Sequence, residues 1–214
     1  MKYKYIFFDL DGTLTDPKEG ITKCVQYALD YFGIHEEPEN LMKFIGPPLV
    51  DSFKDFYNFP EDKALEAVDK YRERFAKIGI FENKAYDGVT EMLQKLVDSG
   101  HILALATSKP KVFADIIVKK FKIRPYLKVI SGSELDGTRN NKNEVIEYAI
   151  EKLGCPREKI IMVGDRRQDI IGAKQCSVAS CGVKFGYAEP NELEDAGADY
   201  IVNTMEELTQ LLMR

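Results

Sequence analysis

The sequence contains few histidines and cysteines, the residues that form many metal and redox sites. Its 214 residues include two histidines and four cysteines, and the cysteines lack the paired spacing of a zinc site. A metal-binding or redox pair of Cys176 and Cys181 is the alternative, but the scarcity of histidine argues against it. We therefore predict buried, reduced thiols, as is usual in a cytoplasmic protein. The four cysteines are Cys24, Cys155, Cys176 and Cys181.

Basic residues are not in excess, and no long apolar run occurs. The chain has 30 lysines and arginines against 35 aspartates and glutamates, a formal net charge of −5. Without a broad basic surface, a nucleic acid polymer is excluded as a general partner, whereas a small phosphorylated ligand needs only a few local positive groups. No stretch approaches the roughly 20 apolar residues of a membrane span. The first apolar run breaks at Asp9, so we expect neither a signal peptide nor a membrane partner.

The chain does contain a regular alternation of apolar runs and amphipathic segments. The amphipathic segments 87–99 and 143–153 place their apolar residues on one helical face. Strand-like runs between helices of this length predict parallel βαβ units. We therefore predict an α/β fold, a doubly wound parallel sheet of the Rossmann-like kind. The strand-like runs are 4–9, 101–106, 127–130, 159–163, 177–182 and, more weakly, 200–203.

One interval interrupts this alternation. Residues 17–80 contain no convincing strand, only helical segments separated by glycine and proline turn signals. We predict a small all-helical domain at 17–80, inserted after the first strand of an α/β core formed by 1–16 and 81–214. The helical segments are 18–33, 49–57 and 61–77.

Two pairs of acidic residues follow apolar runs. Asp9 and Asp11 follow the first run, and Asp165 and Asp169 follow the run at 159–163. Since ligands of an open parallel sheet bind beyond the carboxyl ends of its strands, all four are candidate site residues. An aspartate before a helix is often an N-cap, which is the alternative for any one of them. Four at two strand ends favour a cation site, and oxygen ligands without nearby histidine or cysteine indicate Mg²⁺ rather than zinc.

Hydroxyl groups and lysines follow two further runs. Thr107 and Ser108 end the second strand-like run and precede Lys109. Their hydroxyls are able to hold a phosphoryl oxygen, or else to cap the next helix. Lys142 opens a predicted helix. It is either a solvated surface charge or, beside a dicarboxylate metal site, the group that neutralises a nucleophile and a phosphate.

These residues resemble, in order and spacing, the four motifs of the haloacid dehalogenase-like (HAD) superfamily. The helical insertion resembles the cap of the branch that contains phosphoglycolate phosphatases, 5′-nucleotidase-like enzymes and β-phosphoglucomutases. The segment SELDGTRNNK is more similar to the 5′-nucleotidase-like members. The matching motifs are Asp9-x-Asp11-Gly12-Thr13, Thr107, Lys142 and Gly164-Asp165-x-x-x-Asp169.

The resemblance implies catalytic roles for four residues. Asp9 is implied to attack phosphorus and form an aspartyl-phosphate. Asp11 is implied to protonate the leaving alkoxide and then to accept a proton from the hydrolytic water. Thr107 and Lys142 are implied to bind phosphoryl oxygens.

The resemblance also implies the cofactor. Mg²⁺ is expected to be held by Asp9, the backbone carbonyl of Asp11, and Asp165, with Asp169 bound directly or through water.

For some residues around these motifs, the expected role is less specific. Ser108 and Lys109 are candidate substrate or phosphate contacts. Gly46 lies in a segment that resembles the cap loop facing the active site, although a simple helix–helix turn is the alternative. Arg166 and Arg167 either contact the aspartates or face solvent, and we expect them to face solvent.

The predicted function is that of a Mg²⁺-dependent phosphatase acting on a small phosphorylated metabolite. Asp11 favours chemistry at phosphorus, because dehalogenases, whose halide leaving group needs no proton, lack this second acid. The expected activity is 5′-nucleotidase-like or phosphoglycolate phosphatase-like. The alternatives are a phosphomutase of the β-phosphoglucomutase type and a catalytically silent module that binds phosphorylated ligands or partner proteins. We expect a monomer or a homodimer.

Overall fold

The computed structural model describes residues 1–214 and divides into two compact units. One unit consists of Met1–Asp16 and Ala85–Arg214, and the other is Pro17–Lys84. The smaller unit is a single continuous stretch of chain, inserted once into the larger one. That it acts as a cap stays a prediction.

Eight strands form two sheets. They are β1 (Tyr5–Phe8), β2 (Thr15–Asp16), β3 (Lys84–Ala85), β4 (Ile102–Pro110), β5 (Leu127–Ser133), β6 (Ile160–Gly164), β7 (Ala179–Val183) and β8 (Tyr200–Val202). Six of them build one parallel sheet in the order β5-β4-β1-β6-β7-β8. The strands β2 and β3 form a separate two-stranded sheet.

Nine α-helices and four 3₁₀ helices connect the strands. The α-helices are α1 (Lys18–Tyr31), α2 (Leu49–Tyr57), α3 (Glu61–Phe75), α4 (Val89–Asp98), α5 (Lys111–Lys120), α6 (Lys142–Leu153), α7 (Arg167–Gln175), α8 (Glu192–Asp195) and α9 (Met205–Leu212). The 3₁₀ helices are Pro38–Phe44, Gly79–Phe81, Arg124–Tyr126 and Arg157–Lys159. None of the helices combines the length and apolarity that crossing a membrane requires.

Strand β1 lies at the centre of the large sheet. It pairs with β4 on one side and β6 on the other, so that Phe7 lies opposite both Ala104 and Met162. Ile6, Phe7 and Phe8 are fully buried, as expected for a parallel strand that is covered by helices on both faces. The strand order reverses at β1, and the carboxyl ends of β1, β4 and β6 therefore meet at one edge of the sheet. This topology confirms the predicted doubly wound α/β fold.

Helices α6 and α7 cover one face of the sheet. Ile146 and Ala149 of α6 and Ala173 of α7 are completely buried and pack in one cluster with Phe7 and Met162. The apolar residues of α6 recur at the helical spacing that the sequence shows. Burial of one large apolar side chain contributes about 1.5–3 kcal/mol to stability. This packing fixes the start of α6 and of α7 against the edge where the strands end.

Strand β4 extends beyond the end predicted for it at residue 106. Its register against β5 shifts between Ala106 and Pro110, and Pro110 then pairs with Ser133. Helix α5 begins only at Lys111, and no side chain caps its first turn. The Thr107 hydroxyl instead accepts a hydrogen bond of 3.3 Å from the backbone N–H of Lys109. Thr107 therefore belongs to an irregular strand end, and its hydroxyl does not cap α5.

The smaller unit is helical and has an aromatic interior. Phe44 and Phe53 are buried with their ring centroids 5.0 Å apart, and Phe59 stacks on Phe53 at 6.1 Å. The turn that precedes α2 contains Gly46, whose φ of +105° is readily adopted only by glycine. This geometry accounts for Gly46 as a turn residue, and its contact with phosphate stays a prediction.

His101 is a buried histidine directly before β4. It is 6% exposed, and its Nδ1 has no hydrogen-bond partner. Burial lowers the pKa of the imidazole, a backbone hydrogen bond with Tyr3 opposes this effect, and the nearby charge of Lys4 adds to it. The native state therefore favours the neutral side chain.

We expect the free energy of unfolding to fall more between about pH 7.5 and about pH 5 in the wild type than in His101→Gln. The unfolded chain binds a proton at His101 around the ordinary pKa of 6.5, whereas the native chain binds it only at lower pH. The contribution of His101 to stability is thus complete above that value and declines as the pH falls toward the native pKa. Urea unfolding at both pH values measures the difference, and equal losses in the two proteins would contradict the prediction. His35→Gln removes an exposed histidine and is the matched control.

Candidate active site

Three buried aspartates meet at the carboxyl edge of the large sheet. Asp9 follows β1, Asp165 follows β6, and Asp169 lies in the first turn of α7. Each offers a carboxylate oxygen, and these atoms lie within 4.8 Å of one another. The backbone N–H of Asp9 donates to the carbonyl of Val163 at 2.8 Å, which extends the pairing of β1 with β6 as far as the site. We call Asp9, Asp165 and Asp169 the acidic triad.

Lys142 faces two members of the acidic triad. It is the first residue of α6, and its Nζ lies 2.8 Å from Asp9 Oδ1 and 2.7 Å from Asp169 Oδ1. The same nitrogen donates to the carbonyl of Ala106 at 3.2 Å, which ties it to β4. Burial lowers the pKa of Lys142, but the two carboxylates more than offset this and raise the pKa above its usual range. The side chain is therefore a buried cation.

Burial and mutual repulsion disfavour negative charge on the acidic triad. Burial raises the pKa of Asp165 well above its usual value, and the charges of Asp169 and Asp9 raise it further. Burial likewise raises the pKa of Asp169 to about 6, although Lys142 opposes the change. A cation that binds between the carboxylates relieves this repulsion. The donors are all carboxylate oxygens, which suits a hard divalent cation.

Glycines make room for the acidic triad. A Cβ atom on Gly12 would lie 2.0 Å from Asp165 Oδ2, and one on Gly164 would lie 2.1 Å from the Asp169 carboxyl carbon. A Cβ on Gly186 would lie 2.4 Å from both the Cβ of Asp165 and the carbonyl oxygen of Gly12. The carboxyl groups of Asp165 and Asp169 are thus packed directly against backbone that carries no side chain.

Two hydrogen bonds orient Asp165. The Thr13 hydroxyl donates to Oδ1 at 3.3 Å, and the backbone N–H of Tyr187 donates to Oδ2 at 2.8 Å. The Tyr187 hydroxyl also donates to the carboxylate of Asp16 at the end of β2. Both Asp165 oxygens are therefore held in place by groups from opposite ends of the chain.

Asp11 lies beside the acidic triad but has a different partner. Its Oδ2 forms an ion pair with Lys109, and its Oδ1 is buried without a hydrogen-bond partner. Burial raises the pKa of Asp11, Lys109 lowers it, and the charge of Asp9 raises it again. The carboxylate is not one of the three clustered ligand groups, and ligation through the backbone carbonyl stays a prediction.

The family of this chain follows from its sequence as well as from this site. Residues 6–183 match the model of the haloacid dehalogenase-like hydrolase family. The chain belongs to this family.

Relatives support the same assignment. A 5′-nucleotidase from Pseudomonas aeruginosa is 49% identical over 195 residues, which are 90% of this chain and 88% of that protein. A phosphoglycolate phosphatase from Vibrio parahaemolyticus is 25% identical over 98% of this chain and 96% of its own length. The crystal structure of a predicted phosphatase from Clostridium acetobutylicum is 48% identical and has a TM-score of 0.97, with coverage of 100% of this chain and 99% of that one. The chain is thus a HAD-like hydrolase of phosphoric monoesters.

The remaining predicted residues of this HAD-like hydrolase are Thr107, Ser108 and Gly46. Thr107 is 1% exposed and follows Ala106, the residue whose carbonyl binds Lys142. The carbonyl of Ser108 accepts a hydrogen bond of 2.7 Å from the Ser133 hydroxyl. The structure thus brings Thr107 next to the site and uses the Ser108 backbone to join β4 to β5. Gly46 belongs to the smaller unit.

The expected solvent exposure of the paired arginines is wrong for Arg166 and right for Arg167. Arg166 is 9% exposed, and its Nε donates to Glu192 Oε1 at 2.9 Å. Arg167 is exposed, and only its backbone N–H binds Glu192, at 2.8 Å. Glu192 lies in α8, so no pattern close to residue 166 shows that Arg166 has a buried partner.

Sequence reasoning also missed Gly186 and Tyr187. They follow β7, whose carboxyl end is at the same edge of the sheet as the acidic triad. The signal that indicates them is a glycine after an apolar strand, the pattern that also marks Gly164.

We expect Gly186→Ala to lower the affinity of the acidic triad for a divalent cation by about 10–100-fold, the usual effect of disturbing a group that orients a metal ligand. The added methyl group has no space beside Asp165 and must displace that carboxylate. Isothermal titration with Mn²⁺ measures the affinity without any need for turnover.

Gly33→Ala is the control for this substitution. Gly33 has φ of +72° and no neighbouring atom within 4 Å of an added Cβ. It is expected to lose about 1–2 kcal/mol of stability through backbone strain but to bind Mn²⁺ like the wild type. Wild-type affinity in a folded Gly186→Ala variant would show that this close packing does not position Asp165.

Proposed function

We propose that this hydrolase is a Mg²⁺-dependent phosphatase that cleaves small phosphomonoesters through an aspartyl-phosphate on Asp9. The observation that carries the proposal is the environment of Asp9. Its carboxylate is buried, lies 2.8 Å from the ammonium group of Lys142, and belongs to a triad suited to a divalent cation. A second acid, Asp11, follows two residues later in the same turn of chain.

In the first step, a carboxylate oxygen of Asp9 attacks phosphorus, and the bond between phosphorus and the ester oxygen breaks. The departing alkoxide takes a proton from Asp11. Burial raises the pKa of Asp11, and the ion pair with Lys109 opposes this change. Asp9 then carries the phosphoryl group, and the alcohol is free to leave.

In the second step, water attacks the phosphorus of the aspartyl-phosphate. Asp11, now a carboxylate, accepts a proton from that water, and the bond between phosphorus and the Asp9 oxygen breaks. Inorganic phosphate leaves, and both aspartates return to their initial states. Asp9 and Asp11, which lie two residues apart and have different partners, thus have separate roles in the reaction.

Mg²⁺ is proposed to be held by Asp9, Asp165 and Asp169. The fit rests on the oxygen-only donor set and on the glycine backbone that gives the carboxylates room. When bound, Mg²⁺ neutralises the charge of the phosphoryl group and of the nucleophile.

Lys142 and Thr107 are proposed to bind the phosphoryl oxygens. Lys142 is a permanent cation at the site, and its bond to the Ala106 carbonyl holds it next to Thr107. Ser108 is proposed to act through its backbone, which supports the end of β4. The smaller unit is proposed to be a lid, which limits substrates to small molecules.

A nucleoside 5′-monophosphate is the proposed substrate. The support is the 5′-nucleotidase of Pseudomonas aeruginosa, to which 90% of this chain is 49% identical. Phosphoglycolate is the second candidate, supported by the more distant phosphoglycolate phosphatase of Vibrio parahaemolyticus.

We expect Asp9→Asn to abolish phosphate release from every substrate, with a loss of at least about 10⁴-fold, because the nucleophile is lost. The measurement is phosphate release from nucleoside monophosphates, phosphoglycolate and sugar phosphates, with Mg²⁺ and with a chelator. After an acid quench, the wild type is expected to carry bound phosphate, and Asp9→Asn is expected to carry none.

Asp98→Asn, which removes an exposed acid of α4, is the control and should retain wild-type activity. Release that survives in Asp9→Asn would rule out the aspartyl-phosphate. Isomerised sugar phosphate without free phosphate would indicate a phosphomutase instead.

A further inference from the structure

We propose that Lys109 is a positioning residue that orients Asp11 toward the leaving group, and that it is not primarily a ligand of the phosphoryl group. This inference rests on the proposed function, in which Asp11 is the proton donor. It departs from the sequence-based expectation, which made Lys109 a contact of substrate or phosphate.

The first support is the contact itself. The Nζ of Lys109 forms an ion pair with Asp11 Oδ2, and the two side chains are only 7% and 10% exposed. The two residues are 98 positions apart in the chain, so the pair is produced by the fold and not by local sequence. A buried pair loses its hydration on both sides and requires good geometry to persist.

The second support is the asymmetry of the Asp11 carboxylate. Lys109 holds Oδ2, while Oδ1 is buried and receives no hydrogen bond from the protein. A buried oxygen without a partner is uncommon in folded proteins, and a catalytic role is one of its explanations. With one oxygen fixed, the carboxyl group cannot rotate freely, and Oδ1 is the oxygen that remains for proton transfer.

The third support is the rigidity of the backbone that carries Lys109. Its own carbonyl oxygen lies so close to Gly132 of β5 that a Cβ there would approach it to 2.7 Å. The residues on both sides are also held, because Ser108 accepts a hydrogen bond from Ser133 and Pro110 pairs with Ser133 in the sheet. The backbone at the irregular end of β4 is therefore joined to β5 on both sides of Lys109.

The fourth support is the division between the two buried lysines. Lys142 contacts Asp9 and Asp169, the residues proposed to meet the phosphoryl group and the metal ion. Lys109 contacts Asp11, the residue proposed to meet the leaving group. The two cations thus serve different halves of the reaction.

If Lys109 acts through Asp11, the effect of its loss depends on the leaving group of the ester. The loss of a phosphate ligand would not depend on the leaving group in this way. An alkoxide leaving group needs a proton from Asp11, whereas p-nitrophenolate is stable enough to leave without one. We expect Lys109→Met to lower kcat/KM for a nucleoside 5′-monophosphate by about 10²-fold or more, the size of a general acid contribution. For p-nitrophenyl phosphate the loss should be smaller than about fivefold. The ratio kcat/KM isolates the first chemical step, so slower hydrolysis of the aspartyl-phosphate does not enter the comparison.

The experiment compares both esters in the wild type, Lys109→Met, Lys109→Arg and Asp11→Asn. Asp11→Asn should show the same selective loss, and Lys109→Arg should recover part of it because the positive charge remains. Inhibition by inorganic phosphate is measured in parallel and should keep its wild-type inhibition constant in Lys109→Met. Lys111→Met is the matched control, because Lys111 is partly exposed and pairs with Asp115 at 2.6 Å. This substitution should change kcat/KM for neither ester.

Equal losses on the two esters, together with weaker inhibition by phosphate, would overturn the inference and make Lys109 a phosphate ligand. If Lys109→Met does not fold, Lys109→Arg decides, because a displaced charge should still impair the nucleotide more than the aryl ester, and an equal effect on both would refute the inference. A wild type that hydrolyses neither ester would refute the proposed function itself, which is a different result from equal losses in an active enzyme.

Discussion

The structure depends on the burial of negative charge where three parallel strands end. Asp9 and Asp165 converge because β1 and β6 are neighbours in register, and Asp169 joins them from the first turn of α7. Like charges in a buried site repel strongly and need matching positive charge close by. The backbone is also adapted to the buried carboxylates, since a side chain at Gly12 or Gly164 would occupy the space of a carboxylate. Electrostatics thus governs both the chemistry of this edge and the small residues around it.

Positive charge reaches this edge from two directions. Lys142 comes from the start of α6, and its stem passes Gly172 of α7, where a Cβ would lie 2.7 Å from the Lys142 Cγ. Lys109 comes from the irregular end of β4, the strand next to β1 in the sheet. Because each lysine is held by a different element, the two cannot replace each other. The fold therefore gives Asp11 a counter-charge separate from the one that Asp9 and Asp169 share, which is how neighbouring carboxylates acquire separate properties.

The sequence predicts the fold well because strands buried on both faces appear as continuous apolar runs, and β1 and β6 are such strands. It also predicts the acids at the ends of these strands, since the strand end itself indicates their location. It does not predict the pairing of Lys109 with Asp11 or of Arg166 with Glu192, because these contacts join distant segments at distances that no local pattern encodes. Tyr187 was missed for a different reason, because its contribution is a backbone N–H that any residue type carries.

The central position of β1 has a consequence for how the chain folds. β1 is synthesised before both of its neighbours in the sheet, since Phe7 pairs with Ala104 and Met162, which emerge much later. Until then its three large apolar side chains have no sheet to join, which is a known cause of slow folding and of aggregation. The Asp9–Lys142 contact joins residues that are 133 positions apart, so it too requires distant parts of the chain to meet. A partly folded core in which α6 is not yet in place therefore lacks the positive charge that faces Asp9 in the native state.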